Sequence, residues 1–248
     1  MCLIALANNL TPDLPLVLAA NRDEDYDRPT LAAAYWNDAP NVVGGRDARH
    51  RGSWLAVTSE GRVAAVTNVR GGEKADGRSR GLLVSDFVTS AVDPEKYARN
   101  VASHAGDYAG FHLVAGVIGG AFVHVGTEVR TIAPGSIFAI SNGPVDTRWE
   151  KVAQAERIVR ELLDLTSDPN LITLSLLQFL GTPSERARER GATLPEEIEG
   201  EVFVMSDRYG TRSSTVIVAT ADEIHFAERS YSRGGVPDGG GVRVTISR

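Results

Sequence analysis

The chain has 248 residues, of which 42% are hydrophobic and 23% charged, and its net charge is −6. That balance excludes a disordered or fibrous chain, and the acidity argues against a nucleic-acid partner. No apolar run reaches the roughly eighteen residues that a membrane-spanning helix needs, and the one cysteine, Cys2, excludes an internal disulfide, a multi-cysteine zinc site and an iron–sulfur cluster.

The start, Met1-Cys2-Leu3-Ile4-Ala5-Leu6-Ala7, is apolar but short, has no basic segment before it and meets Asn8-Asn9 at once. A secretory signal needs a positive start and a longer apolar core, so residues 2–7 read as a buried strand and the expected compartment is the cytoplasm. Residues 16–20 form a second apolar run, and the turn formers between them predict a hairpin covered on both faces. Further hairpins are expected from residues 52–58 with 63–69, and from 111–117 with 121–126. A strand follows over 136–141.

Helical periodicity appears over residues 149–165, where Val152, Ala155, Val159, Leu162 and Leu163 fall on one face. Residues 171–180 predict a second helix, and 82–91 and 94–102 two weaker ones. Residues 202–205, 214–219, 223–228 and 242–246 read as closing strands, with 181–200 and 231–241 the loosest segments. Length alone admits one large domain or two small ones; no linker divides the chain, so a single domain spans 1–248. Strands from both chain ends with helices grouped between them predict an α+β fold, two antiparallel sheets packed together under helices.

The chemistry centres on position 2. A methionine followed by a small residue is a substrate for initiator-methionine removal, which would leave Cys2 with a free α-amine. That amine titrates near pH 8, close to the thiol's value of about 8.5, so one residue supplies nucleophile and base. The other reading is a small apolar residue in a buried strand. Three polar clusters end apolar runs: Asn21-Arg22-Asp23-Glu24, Asn68 and Asn142. Asparagine is a poor strand residue but its NH₂ group is a good oxyanion donor; it is also a turn former. Arg212 precedes another strand.

Met1-Cys2, Ala20-Asn21-Arg22-Asp23-Glu24, Gly52-Ser53-Trp54-Leu55, Thr67-Asn68, Ser79-Arg80-Gly81, Leu83-Val84, Ser141-Asn142 and Tyr209-Gly210-Thr211-Arg212 together resemble the NRDE family, also called transport and Golgi organisation 2. The resemblance runs from residue 1 to about residue 231. It implies an N-terminal-nucleophile hydrolase-like fold, an αββα sandwich, and links to haem trafficking and acyl-lipid or acyl-CoA metabolism. A more distant resemblance, to the cysteine amidases of the bile-salt hydrolase and penicillin V acylase group, implies a catalytic set of Cys2, Asp23, Asn68, Asn142 and Arg212. In that set Asp23 holds the amine, the two asparagines stabilise an oxyanion and Arg212 supports the site. The sequence departs from that group at Ala20, where the amidases carry an arginine. Arg22 lies next to Asp23, so on an extended strand the two face opposite ways.

Asn21, Arg22, Trp54, Arg78 and Arg80 are the expected ligand contacts. The basic residues Arg70, Lys74, Arg78 and Arg80 lead into a helix start, where a phosphate or carboxylate can be held, although a solvated loop reads the same way. The histidines show no metal-ligand spacing and there is no Cys-x-x-Cys-His, so covalent haem attachment is excluded and no metal or required cofactor is expected. Haem remains open as a non-covalent ligand. Two functions stay open: a cysteine hydrolase acting on an amide or thioester, and a carrier that holds haem, acyl-CoA or another acyl compound without turnover.

Overall fold

A computed structural model describes residues 2–71, 77–145, 147, 149–190 and 200–248. Met1, Lys74 and residues 191–199 of the segment read as loose lie outside the described residues. The strands are β1 (Leu3–Thr11), β2 (Leu14–Asp25), β3 (Thr30–Trp36), β4 (Ala39–Asp47), β5 (Leu55–Thr58), β6 (Arg62–Asn68), β7 (Phe111–Val117), β8 (Phe122–Val125), β9 (Val129–Ile132), β10 (Ser136–Ile140), β11 (Tyr209–Ala219), β12 (Glu223–Tyr231) and β13 (Pro237–Ser247). The α-helices are α1 (Gly81–Val88), α2 (Pro94–Ser103), α3 (Glu150–Leu165), α4 (Pro169–Leu180) and α5 (Glu185–Arg190).

One sheet has the order β10-β1-β2-β11-β12-β13, and the other runs β3 to β9 in sequence order. Neighbouring strands are antiparallel throughout. Alternation along β1 shows how the layers stack. Ile4 and Leu6 join Leu16, Leu18, Leu55, Val57 and Val114 in a core between the two sheets. Leu3, Ala5 and Ala7 face the other way, against Val152, Ala155 and Val159 of α3 and Ile172 and Leu176 of α4. On the far sheet, Ala56, Ala64 and Ala115 meet Leu83, Val84 and Phe87 of α1 and Ala98 of α2. The order of layers is therefore helices, sheet, sheet, helices, and both sheets are covered on both faces. This is why β1 reads as an uninterrupted apolar run rather than an alternating one.

The helix starts follow local chemistry. Asp93 caps α2 by accepting from Lys96 N at 3.0 Å, with Pro94 in the first turn. Asp168 caps α4 through Asn170 N at 2.9 Å, with Pro169 in the first turn. Two sequence-based expectations are corrected. Residues 202–205 do not form a strand of either sheet; only Met205 makes an isolated bridge, to Gly210. The segment 231–241 is not loose: it holds the end of β12, a 3-10 turn over Arg233–Gly235 and the start of β13, where Pro237 and Asp238 pair with Tyr231 and Ser230 and where Gly239, Gly240 and Gly241 fall at a shift in the register. β3, β4, β9 and α5 are further elements that the periodicity did not mark.

Candidate active site at Cys2

Register places the site. Along β1 and β2, Ile4 pairs with Ala20 and Leu3 with Asn21, so the next step sets Cys2 opposite Arg22. Along β1 and β10, Ala5 pairs with Ala139 and Ile4 with Ile140, so two further steps set Cys2 opposite Asn142. Cys2 is thus flanked at the end of an interior strand by two of the residues singled out above, from sequence positions 22 and 142.

The turn that follows β10 grips the Cys2 backbone. Cys2 N donates to Asn142 Oδ1, and Ser141 Oγ donates to Cys2 O at 2.5 Å. Asn142 Nδ2 donates to Thr67 Oγ1 at 2.7 Å and to Asn68 O at 2.6 Å. Both amide hydrogens are therefore used, which corrects the expectation of Asn142 as an oxyanion donor: its oxygen holds Cys2 N instead. Asn68, at the end of β6, lines the cleft in which the sulfur lies, and its side-chain amide makes no hydrogen bond among the described residues.

The Asn-Arg-Asp-Glu motif splits by strand alternation. Arg22 points between the sheets, on the Cys2 side. Its guanidinium lies 4.4 Å from the Trp54 ring centroid, donates to Thr30 Oγ1 at 3.0 Å and pairs with Glu24 at 3.6 Å. Asp23 points toward the helices and accepts from Thr211 Oγ1 at 2.7 Å. Its backbone oxygen accepts from Tyr209 Oη at 2.8 Å and from Cys2 Sγ at 3.9 Å. Asn21 also faces the helices, donating to Leu180 O at 2.9 Å and Val202 O at 2.8 Å and accepting from Ser214 Oγ at 2.6 Å. That corrects its assignment as a ligand contact: it ties β2 to the end of α4.

Burial raises the Cys2 thiol, the Asp23 charge pushes it further up, and the Arg22 charge pulls it down. Asp23 is likewise raised by burial, and the charge of Lys151 and the Thr211 hydroxyl oppose the rise. Lys151 is 1% exposed in the first turn of α3, with its ammonium over the Trp149 ring. Nothing in the helical periodicity singled it out, because a lysine beside Glu150 reads as part of a solvated face.

The Gly52-Ser53-Trp54-Leu55 motif builds one wall. A Cβ at Gly52 would lie 2.5 Å from the Gly81 carbonyl carbon, so the start of α1 packs backbone to backbone against this segment. Ser53 N donates to Gly81 O at 3.0 Å, and Ser53 Oγ donates to Gly45 O at 2.8 Å. The Trp54 ring fills the space that Gly45 leaves, since a Cβ there would sit 2.0 Å from the ring. The Gly52–Gly81 contact also brings Arg80 to the cleft, where its Nη1 donates to Gly110 O at 3.1 Å.

Arg78 and Arg212 are corrected. Arg78 lies in a separate hollow, 5.3 Å from the Tyr108 ring and 3.9 Å from Asp86. Arg212 is the extra residue where the β2–β11 register slips between Thr211 and Ser213. The slip turns it outward, where its Nη1 donates to Asp25 O at 3.0 Å and Tyr26 O at 2.9 Å. It braces the β2–β3 connection and does not meet the sulfur. The cleft itself encloses about 460 Å³ and is lined chiefly by polar and charged side chains, among them Asp25, Arg28, Asp47 and His50. Among the described residues no His, Cys, Asp and Glu group is arranged to hold a metal ion, and no helix is long and apolar enough to cross a membrane.

Residues 1–233 match the family described as Transport and Golgi organisation 2. The Transport and Golgi organization protein 2 homolog of Bos taurus is 32% identical over 238 residues, covering 87% of this chain and 86% of the relative. The Homo sapiens homolog is 29% identical over the same shares. The Drosophila melanogaster Transport and Golgi organization protein 2 is 28% identical, over 94% of this chain and 93% of the relative. Among solved structures, conjugated bile acid hydrolase from Clostridium perfringens is similar with a TM-score of 0.49 and 9% identity, covering 100% of this chain and 92% of that one. The Caenorhabditis elegans N-acylethanolamine-hydrolyzing acid amidase ortholog is similar with a TM-score of 0.44 and 16% identity, covering 88% and 92%. With the family matched over almost its whole length, the chain belongs to the Transport and Golgi organisation 2 family.

Proposed function

We propose that the chain is a cysteine acyl hydrolase whose nucleophile is Cys2 Sγ once Met1 has been removed, acting on an amide or thioester small enough for a polar cleft. The observation that carries this reading is the pairing of Cys2 N with Asn142 Oδ1. A group held there by an acceptor is where an α-amine would be oriented to take a proton from the neighbouring sulfur. Arg22, opposite Cys2 and on the sulfur's face of β2, supplies the positive charge that the amidase pattern has two residues earlier, at Ala20.

In the proposed reaction the thiol proton passes to the Cys2 amine as sulfur attacks the carbonyl carbon. The carbonyl oxygen takes the negative charge and accepts from the Asn68 amide. Collapse breaks the bond to the leaving group, which leaves with the proton from the ammonium. Water then attacks the thioester at Cys2 as the amine again accepts a proton; collapse breaks the carbon–sulfur bond, sulfur recovers the proton from the ammonium, and the acid product departs. Asp23 and Lys151 set the charge around this amine, and no metal or cofactor takes part.

The composition of the cleft favours a small polar ligand over haem or a long acyl chain: apart from Trp54 and Val66, its larger side chains are polar or charged. The test is a screen of acyl amides and thioesters with the mature protein, after intact mass has established that Met1 is gone. Turnover that vanishes in Cys2→Ala and persists weakly in Cys2→Ser supports the reading. Saturable binding of haem or acyl-CoA with no Cys2-dependent product would replace it with the carrier.

A further inference from the structure

Two buried histidines lie behind the turn that grips Cys2. His112 and His124 are 2% and 0% exposed, and both point between the sheets. His112 Nε2 is 2.8 Å from Gly143 O, and His112 Nδ1 is 3.1 Å from His124 Nε2. A carbonyl oxygen only accepts, so His112 Nε2 carries the hydrogen. Burial keeps His112 low and holds His124 down to about 3, so both rings are neutral. Neutral His112 then has a bare Nδ1, and His124 must donate to it from Nε2. His124 Nδ1 is left as a bare buried atom with no partner among the described residues.

The surroundings are shaped for this pair. A Cβ at Gly126 would lie 2.9 Å from His112 Nδ1 and 3.0 Å from His124 Cε1, so only glycine leaves the inter-ring hydrogen bond undisturbed. Gly126 has no positive φ, so its backbone alone does not require glycine. The Phe138 ring lies tilted against His124, 5.1 Å between centroids, and after burial His112 and then Arg130 act electrostatically on the His124 ring. His112 is also the register partner of Thr67, and Thr67 Oγ1 accepts from Asn142 Nδ2. Two side-by-side residues of β6 and β7 therefore hold successive residues of one turn, Thr67 gripping Asn142 and His112 gripping Gly143.

We propose that His112 is a positioning residue for Cys2: its Nε2–H fixes the Gly143 carbonyl and with it the Asn142 oxygen that holds Cys2 N, while His124 locks His112 in the tautomer this requires. The proposal rests on the proposed cysteine chemistry for its catalytic consequence, but the geometry it asserts is read from the Cys2 thiol directly.

The test measures the rate of Cys2 alkylation by iodoacetamide against pH in the mature protein, alongside thermal melts. His112→Phe keeps the ring volume and removes both hydrogen bonds. It should slow alkylation at neutral pH about threefold, since a loosened turn no longer holds the amine beside the sulfur. High pH should restore the rate. His112→Gln, whose amide can donate to Gly143 O, should recover most of the loss. Gly126→Ala, which pushes on the ring–ring bond without touching the turn, should reproduce the defect in part and carries the test if His112→Phe does not fold. Wild-type pH profiles in folded His112→Phe and Gly126→Ala overturn the proposal. So does a His112→Gln as slow as His112→Phe, which would mean that ring packing alone matters. Absence of turnover in the wild-type protein would remove the hydrolase reading and leave these alkylation differences standing.

Discussion

Asn21 opens the motif that gives the family one of its names, yet its side chain faces away from the cleft, and Asn21→Ala makes that distinction measurable. The substitution leaves the carbonyls of Leu180 and Val202 without their donor and the Ser214 hydroxyl without its acceptor, in a position 2% exposed. A buried polar group stripped of its partner costs about 1–3 kcal/mol. Three such groups, partly relieved by a water entering the space, give a loss of about 4 kcal/mol. For a chain of this size each kcal/mol moves the melting temperature by about 2–4 °C, so the melt should fall by about 8–16 °C. Cys2 alkylation, measured well below the new transition, should stay within about twofold of wild type, because neither Arg22 nor the Asn142 turn loses a contact. A melt within about 2 °C of wild type would refute the accounting. Collapse of Cys2 reactivity at an unchanged melt would return Asn21 to the site.

Arg22→Met removes the charge that pulls the thiol down, so alkylation should slow at neutral pH and recover as pH rises; an unshifted profile would show that Arg22 does not act on the sulfur. Arg80→Glu should lower the rate with iodoacetate relative to iodoacetamide by about three- to tenfold, as expected for reversing one charge near the cleft mouth. Arg78→Glu, in its separate hollow, should leave that ratio alone. Glu228 is raised by burial although it accepts from Ala33 N at 2.9 Å and Thr215 Oγ1 at 2.8 Å. Because its folded value lies above the unfolded one, its contribution to stability is fully present below the ordinary glutamate value and is lost as pH rises through the folded value. Glu228→Gln should therefore flatten the decline in melting temperature toward neutral pH, and an unchanged slope would count against this sign.

The apolar runs were legible because both sheets are buried on both faces. Residues 2–7 and 16–20 could not be alternating strands, and the structure extends them to Leu3–Thr11 and Leu14–Asp25 in adjacent positions. The strand over Phe111–Val117 was legible for the same reason. β3 was not, since its central Ala32-Ala33-Ala34 has weak strand propensity and Leu31 and Tyr35 point to solvent. β13 was hidden by its glycines: Gly239, Gly240 and Gly241 fall where the β12–β13 register shifts, and the strand is carried by the pairs on either side, Asp238 with Ser230 and Val242 with Glu228.

At the site, residue type carried part of the information and orientation the rest. The opposite facing of Arg22 and Asp23 follows from strand alternation and was readable from sequence. The β11 register slip that turns Arg212 outward was not, because it depends on how β2 pairs with a segment nearly two hundred residues away. Lys151 and the His112–His124 pair lay below the sequence signal for a similar reason: each matters through a partner on a different element.

The close contact between Gly52 and Gly81 has a practical side. Both are main chain meeting main chain, so this wall behaves as a rigid gauge: a side chain added at position 52 would have to wedge the segment off the start of α1 before it could reshape the opening. An engineering library aimed at new substrates would waste its members there. The adjustable dimension is set by Tyr209, which lines the same cleft from the start of β11, a strand that the contact does not clamp.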